Sequence, residues 1–287
     1  MTLRNFKILI PAAALVVSIL FAACSKDEKT ATNTDNTALV SLSVANVAAE
    51  TSFNDAYSEV MATNEENGLM NRGGTGTVSG KPGSPNGCAI VTINPAEPAA
   101  FPKTVTIDYG SSGCTSASGV TRKGKIIYTL TGKFRTTGSV ISVTFEGYSV
   151  NGFAIAGVYS ITNNSTGNGL NVATQVTGGK ITYPDATYYN YSGAKTIVQS
   201  AGTATPAIGD DEFTITGNNT LSSSDGKAVT GTIKTPLLKK NSCRNIVSGS
   251  IDIVYNGIKA LLDYGTGDCD NTATITVANK TETITLP

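Results

Sequence analysis

The chain has 287 residues, carries 21 basic and 21 acidic side chains, and contains neither histidine nor tryptophan. This balance of charge gives no indication of a nucleic-acid or anionic-lipid partner. Without histidine the chain cannot form a Ser-His-Asp or Cys-His catalytic site or a His-ligated metal site. Without tryptophan it also lacks the strongest aromatic platform for cations and sugars.

An apolar segment near the N-terminus ends in a cysteine. Arg4 and Lys7 give a basic start, Ile8–Ala23 is apolar apart from one serine, and small residues precede Cys24. This arrangement is typical of a secretory signal peptide, and the cysteine at the cleavage point makes it resemble a bacterial lipoprotein signal. The resemblance implies that residues 1–23 are removed, that the thiol receives diacylglycerol, and that the new N-terminus is acylated with a fatty acid such as palmitate.

Two other interpretations of this segment stay open, namely an uncleaved membrane anchor and an ordinary signal peptide followed by a cysteine by chance. The apolar run is shorter than the roughly 20 residues that a membrane-spanning helix needs. Ser25 is not the aspartate that retains enterobacterial lipoproteins in the inner membrane, so we expect the outer membrane. The run Ser25–Glu28 resembles the acidic export tag of surface lipoproteins in Bacteroidota, which adds exposure on the cell surface as an expectation.

The next segment predicts a tether followed by one helix. Ser25–Thr37 is polar and has no apolar periodicity, so residues 24–40 are interpreted as the lipidated cysteine and a flexible tether. An apolar stripe at helical spacing then predicts a short amphipathic helix that packs on a sheet, with Thr51 or Ser52 as its N-cap and Gly68 as its stop. The stripe consists of Phe53, Ala56, Tyr57, Val60 and Met61.

Residues 41–87 therefore hold the helix and a Gly-rich loop, and residues 88–287 have the pattern of a β-domain. Short runs of Val, Ile, Thr, Tyr and Phe alternate with polar residues there, and turn dipeptides separate them. The dipeptides are Asn151-Gly152, Gly178-Gly179, Asp225-Gly226 and Asn256-Gly257. Because such connections are too short for crossover helices, the strands should be antiparallel. The predicted fold class is all-β, either a large antiparallel meander or a two-sheet sandwich.

Four cysteines of the β-domain form two brackets of equal length. Cys88 and Cys114 are 26 positions apart, as are Cys243 and Cys269, and the residues around them indicate duplicated units at 88–134 and 243–287. A two-residue turn at Asn256-Gly257 sets residue n opposite 513 − n, which brings Cys243 within one place of Cys269. We therefore expect disulfides within each bracket, because this separation suits a disulfide and an exported protein permits one. A four-thiol metal site is disfavoured because no CxxC spacing and no histidine accompanies these cysteines.

An acidic, Gly-rich turn gives one candidate for Ca²⁺. Asp263, Asp268 and Asp270 supply the hard oxygen ligands that calcium prefers. The first unit keeps only Asp108 at the corresponding place, which favours the alternative that these aspartates serve the turn. No other cofactor is indicated.

Two further groups bear on carbohydrate. Asp210-Asp211-Glu212 offers carboxylates for a polysaccharide hydrolase, but neighbours on a strand point to opposite faces, so a solvated strand entry is the favoured interpretation. Tyr188, Tyr189 and Tyr191 crowd one stretch, where they would either stack on sugar rings or cover a sheet edge.

Several phrases make the mature chain similar to a family of uncharacterised Bacteroidota lipoproteins. They are Asp263–Asn271, Arg122–Ile127 and Thr235–Leu237. The resemblance implies the location and the fold, and it carries no activity, so it assigns no catalytic residue. We expect a non-catalytic envelope protein that is attached to the membrane by its lipid and binds a glycan or an envelope protein. The alternatives are a hydrolase that uses carboxylates alone and a lipid carrier.

Overall fold

The computed structural model describes residues 33–70, 88–205 and 209–286. The signal segment 1–23, Cys24 and the Gly-rich loop 71–87 lie outside these residues. Within them the chain forms one α-helix, α1 (Asn33–Glu66), and fourteen β-strands. The strands are β1 (Ile90–Asn94), β2 (Lys103–Asp108), β3 (Cys114–Thr115), β4 (Thr121–Leu130), β5 (Val140–Val150), β6 (Phe153–Asn163), β7 (Asn171–Thr182), β8 (Tyr188–Ala201), β9 (Glu212–Ser223), β10 (Ala228–Lys240), β11 (Ile246–Tyr255), β12 (Ile258–Thr266), β13 (Thr272–Val277) and β14 (Lys280–Thr285).

All fourteen strands belong to one antiparallel sheet in which neighbours in sequence are neighbours in space. The single departure is that β2 pairs with β4, because the two-residue β3 also pairs with β4 beside it. Asn151 and Asn256 have positive φ angles of 50° and 51°, as the tight turns of the β5–β6 and β11–β12 hairpins require. The prediction of an all-β meander is thus confirmed, and the two-sheet alternative does not apply.

Bulges bend this sheet. The register shifts on both sides of Gly178-Gly179, where β7 pairs with β6 and with β8. Gly157 lies opposite with a φ angle of +116°, and a Cβ atom there would stand 2.7 Å from Gly179 Cα. Only glycine fits such an approach, and the extra residue at each bulge increases the local bend and twist of the strands.

The bent sheet curls around α1, which is buried over most of its circumference. Strands β6 and β9 to β13 pack on the helix, and side chains of β4, β5 and β8 form hydrogen bonds with it. The inward side chains of the strands form the core together with the helix. The predicted short amphipathic helix is therefore wrong in two respects. The helix begins at Asn33 and has 34 residues, so Thr51 and Ser52 lie inside it, and residues 33–40 of the predicted tether are helical. Leu39 in this region is completely buried.

The missed helical region is rich in Ser, Thr and Asn, which favour linkers when they are read in isolation. Inside the curled sheet, the hydroxyl groups of two buried serines of α1 bond to the helix backbone. Ser43 Oγ donates to the Leu39 carbonyl over 2.7 Å and Ser52 Oγ donates to the Ala48 carbonyl over 2.8 Å. These bonds to the preceding turn let small polar residues face the core.

The predicted stop at Gly68 is confirmed. Gly68 has a φ angle of 67°, and the amide of Leu69 donates to the carbonyl of Asn64 over 2.8 Å. A glycine in the left-handed conformation, followed by a hydrogen bond back to the last turn, is a common way for a helix to end.

Both predicted disulfides are present. Cys88 and Cys114 have a Cα–Cα distance of 5.8 Å, and Cys243 and Cys269 have one of 5.2 Å. The register n to 513 − n holds from Tyr255 opposite Ile258 to Ser250 opposite Asp263 and then shifts at a bulge. Cys243 and Cys269 meet beyond the ends of β11 and β12, where the chain is no longer held in the ladder.

Candidate functional site

Charged side chains lie between α1 and the sheet, and Glu50 of α1 is the centre of the first group. Tyr191 of β8 and Asn219 of β9 both donate hydrogen bonds to Glu50 Oε1, and the bond from Asn219 Nδ2 measures 2.6 Å. Lys195, also on β8, forms an ion pair with Glu50 Oε2. A buried carboxylate is tolerated only when such partners replace water. Glu50 therefore fixes the helix against two neighbouring strands.

The second group surrounds Arg122 of β4. Its Nε donates to Asp55 Oδ2 over 2.9 Å, and its Nη2 lies 3.0 Å from Glu59 Oε1, so one guanidinium pairs with two carboxylates one helical turn apart. Tyr148 donates its phenolic proton to Asp55 over 3.0 Å, and Tyr109 donates to Glu59 over 2.7 Å. This group fixes the opposite part of the sheet to the same helix.

Burial and the neighbouring charges set the proton affinities in both groups. Burial is the main cause that raises the pKa of Tyr109, Tyr148 and Tyr191, and the adjacent carboxylates raise it further. Burial alone would lower the pKa of Arg122, but the hydrogen bond to Asp55 and the charges of both carboxylates more than offset this, so its pKa is raised. The phenols thus keep the protons that they donate.

A cavity of about 360 Å³ lies beside the part of α1 between these two groups. This volume is at the lower end of the range for small-molecule sites. Its lining is mixed. The helix contributes Thr51, Asn54, Asp55 and Ser58, the β3–β4 turn contributes Ser118 and Val120, the β10–β11 connection contributes Asn241, Arg244 and Asn245, and the apolar part includes Ile197, Phe213 and Ile215.

Both disulfides belong to chain segments that line this cavity. Cys114 lies directly before the β3–β4 turn that carries Ser118, and Cys243 precedes Arg244 in the β10–β11 connection. Each crosslink restricts its segment to few conformations. Part of the cavity wall is therefore formed by segments that the two disulfides restrain.

Two cationic side chains of the lining have no acidic partner among the described ion pairs, namely Lys239 and Arg244. Lys239 Nζ donates to the backbone carbonyls of Lys240, over 2.8 Å, and of Cys243. Burial lowers the pKa of Lys239 to about 8. Arg244 is exposed at the mouth of the cavity. Within the described residues, neither cation is therefore neutralised by an ion pair with a carboxylate.

The aspartates of the calcium hypothesis serve turns. Asp263 Oδ1 accepts a hydrogen bond from the amide of Gly265 over 2.8 Å, and Asp270 Oδ1 accepts one from the amide of Thr272 over 2.8 Å. Asp268 contributes its backbone carbonyl to the amide of Asp270. In the part of the chain that the structure describes, no group of three or more His, Cys, Asp or Glu side chains is arranged to hold a metal ion.

The three candidate tyrosines do not form one platform, so that prediction is wrong as a joint site. Tyr191 points inward to Glu50 and is buried. Tyr189 packs against Tyr183 with ring centroids 5.5 Å apart. Tyr188 lies under the ammonium group of Lys180, 3.9 Å from the ring centroid. Adjacent residues of a strand face opposite sides of a sheet, which separates Tyr188 from the other two.

The acidic run before β9 is also divided. Asp211 is buried, and Gln199 Nε2 donates to its Oδ1 over 2.7 Å. Asp210 accepts a hydrogen bond from the exposed Thr205 hydroxyl over 2.7 Å, while Glu212 begins the strand. The interpretation as a fully solvated strand entry is wrong for Asp211, and the run does not present two carboxylates to one cleft.

The sequence alone did not point to the residues that build this site. Asp55 and Glu59 have the spacing of one helical turn, which was a usable signal for a shared partner. Nothing local connects Glu50 with Lys195, 145 positions away, or Asp55 with Arg122, 67 positions away. Lys239 and Arg244 become neighbours of the helix only when the sheet curls.

Comparison with protein-family models, with curated proteins and with solved structures finds no match for this chain. Over the residues that the structure describes, no helix combines the length and the apolar character needed to cross a membrane.

Proposed function

We propose that this chain is a lipid-anchored protein of the bacterial outer membrane that binds a small carbohydrate in the cavity beside α1 without transforming it. The anchor rests on the N-terminal sequence, in which an apolar run and two alanines precede Cys24. Labelling of cells with radioactive palmitate tests it, because the Cys24→Ala variant should lose the label. Label that persists in this variant would contradict the anchor.

The observation that supports carbohydrate binding is the mixed lining of the cavity. Hydroxyl and amide side chains such as Asn54, Ser58 and Asn245 offer hydrogen bonds, whereas Phe213 and Ile215 offer apolar surface. Binding pockets combine a few polar groups with apolar walls in this way, and sugar rings present hydroxyls at their edges and C–H groups on their faces.

The same lining argues against a hydrolase as the second candidate. Such an enzyme needs one carboxyl group that holds a proton and a second that does not, both facing the substrate. Asp55 and Glu50 line the cavity, but Arg122 and Lys195 already pair with them. A lipid carrier is less favoured because α1 fills the interior that an acyl chain would occupy.

Steric blocking of the cavity tests the proposal. Ser58 lines the cavity, is exposed, and donates its hydroxyl proton to the carbonyl four residues before it. Ser41 is also exposed and forms the corresponding bond, but it lies outside this cavity. On a glycan array, a soluble fragment from Ser25 to Pro287 should bind defined glycans, S58W should lose that binding, and S41W should keep it. Equal binding by both variants, or no glycan bound by the unaltered fragment, would contradict the proposal.

A further inference from the structure

The charge of the cavity lining is uneven, and this bears on the chemistry of its ligand. Asp55 and Glu50 are the carboxylates of the lining, and each is paired with a cation of the sheet. Lys239 and Arg244 add positive charge to the lining, and neither takes part in any of the described ion pairs. The cavity wall formed by the end of β10 and the β10–β11 connection is thus cationic.

Hydrogen bonds hold the ammonium group of Lys239, and a disulfide restrains the backbone next to Arg244. Two of the three protons of Lys239 Nζ are donated to the carbonyls of Lys240 and Cys243, which fixes the ammonium group and leaves one proton free for a ligand. Arg244 follows Cys243, whose disulfide to Cys269 restrains the connection. A guanidinium group offers parallel N–H donors that match the two oxygens of a carboxylate or sulfate.

We propose that the cavity takes a sugar that carries an anionic group, a carboxylate or a sulfate, and that Lys239 and Arg244 bind this group. The inference rests on the proposed function and names the ligand class of the same site. A fatty acid has an anionic group as well, but its chain needs apolar walls on all sides. Asn54, Ser58 and Asn245 instead place hydrogen-bonding groups around the cavity.

Calorimetric titration of the Ser25–Pro287 fragment provides the test, because this fragment contains the whole compact unit Ala31–Pro287. The probes are glucuronate, glucose 6-sulfate, glucose and laurate, which separate the carboxylate, the sulfate, the sugar ring and the acyl chain. We expect one or both anionic sugars to bind at least about tenfold more tightly than glucose, because glucose cannot form the charge-assisted contact that the anionic group forms.

Three variants complete the design. R244Q and K239Q should each weaken binding of the anionic sugar by about tenfold, while K234Q should not change it, because Lys234 lies exposed on the outer face of the same strand. Arg244 is exposed and takes part in none of the described ion pairs, so R244Q keeps the test valid if K239Q fails to fold.

The outcomes separate the two proposals. If glucose and the anionic sugars bind equally, or if R244Q binds the anionic sugar as the unaltered fragment does, the anionic ligand class is wrong although the cavity still binds sugar. If laurate binds and no sugar does, the ligand class is overturned in favour of a fatty acid. If S58W binds the anionic sugar as tightly as S41W does, the cavity is not the binding site and the proposed function falls with the inference.

Discussion

Arg122 shows how single residues fasten the helix inside the sheet. Its side chain is 7% exposed and faces Asp55 and Glu59, which are themselves largely buried. Removing charges from water costs free energy that the ion pair only partly returns. What such a group does supply is a defined orientation, since the guanidinium donates its N–H groups to both carboxylates only when the helix is correctly oriented.

Replacement of Arg122 by Met should therefore be strongly destabilising. The variant leaves two largely buried carboxylates without their cation, so we expect the free energy of unfolding to fall by about 3–5 kcal/mol. Urea unfolding followed by circular dichroism measures it.

Lys125→Met is the matched control on the same strand. Lys125 forms ion pairs with Asp108 and Glu146 at 3.9 Å and 3.5 Å, but it is about one-third exposed, and such pairs are worth about 1 kcal/mol or less. If both variants lost the same stability, the burial of the Arg122 group would not be the deciding factor.

At the scale of elements, α1 is unusual because it is polar in composition and still forms the axis of the core. Its small side chains, such as Ala45 and Ala49, allow the strands to approach closely, and its serines bond to the preceding turn. The first two turns, Asn33–Val40, lie outside the predicted helix, yet they include Leu39, which is buried in the core.

Substitution of that leucine tests whether the first turns belong to the folded unit. Leu39 is 0% exposed, so Leu39→Ala should lower the free energy of unfolding by about 2–5 kcal/mol through lost burial and the cavity left behind. Ser41→Ala, two residues along on the exposed side, should change it by less than about 0.5 kcal/mol. Denaturant unfolding of both variants checks this, and an unchanged midpoint for Leu39→Ala would mean that this segment is a tether after all.

The elements that the sequence predicts are those with local signals. The Asn-Gly turns and the equal cysteine spacing predict the antiparallel order and both disulfides, because each depends on residues close in sequence or in register. The full length of α1 escapes prediction, because its N-terminal half is enclosed on most sides and lacks the single apolar stripe that marks its C-terminal half. The cavity escapes it as well, since Ser118 and Arg244 come to face the same space only through the curvature of the whole sheet.

At the scale of the molecule, one helix inside one sheet couples distant parts of the chain. Asn64 accepts a hydrogen bond from Tyr128 of β4, and Glu50 accepts one from Tyr191 of β8, so strands far apart in the sheet share a single partner. The edge strand β14 carries exposed Lys280 and Glu282, and such charges discourage pairing with other sheets.

Lys239 and the buried tyrosines give this unit opposite responses to high pH. Burial lowers the pKa of Lys239 from 10.5 to about 8 in the folded state, so the unfolded chain binds this proton more tightly. Taken alone, this group makes the free energy of unfolding rise between about pH 8 and 10.5. The tyrosines have raised pKa values, so the unfolded chain releases their protons first, near pH 10. Their contribution to stability is complete below pH 10 and is lost above it.

Because six buried tyrosines act together, we predict a steep loss of stability above pH 10. They are Tyr109, Tyr128, Tyr148, Tyr159, Tyr191 and Tyr264. Each should remove about 1.4 kcal/mol per pH unit above 10, which exceeds the opposite effect of one lysine. Circular dichroism and tyrosinate absorbance at high pH measure unfolding and ionisation, and the two should change together, with a shallower loss of stability in Tyr128→Phe. If the tyrosinate absorbance showed that all the tyrosines ionise while the fold persists, their burial around the helix would be contradicted.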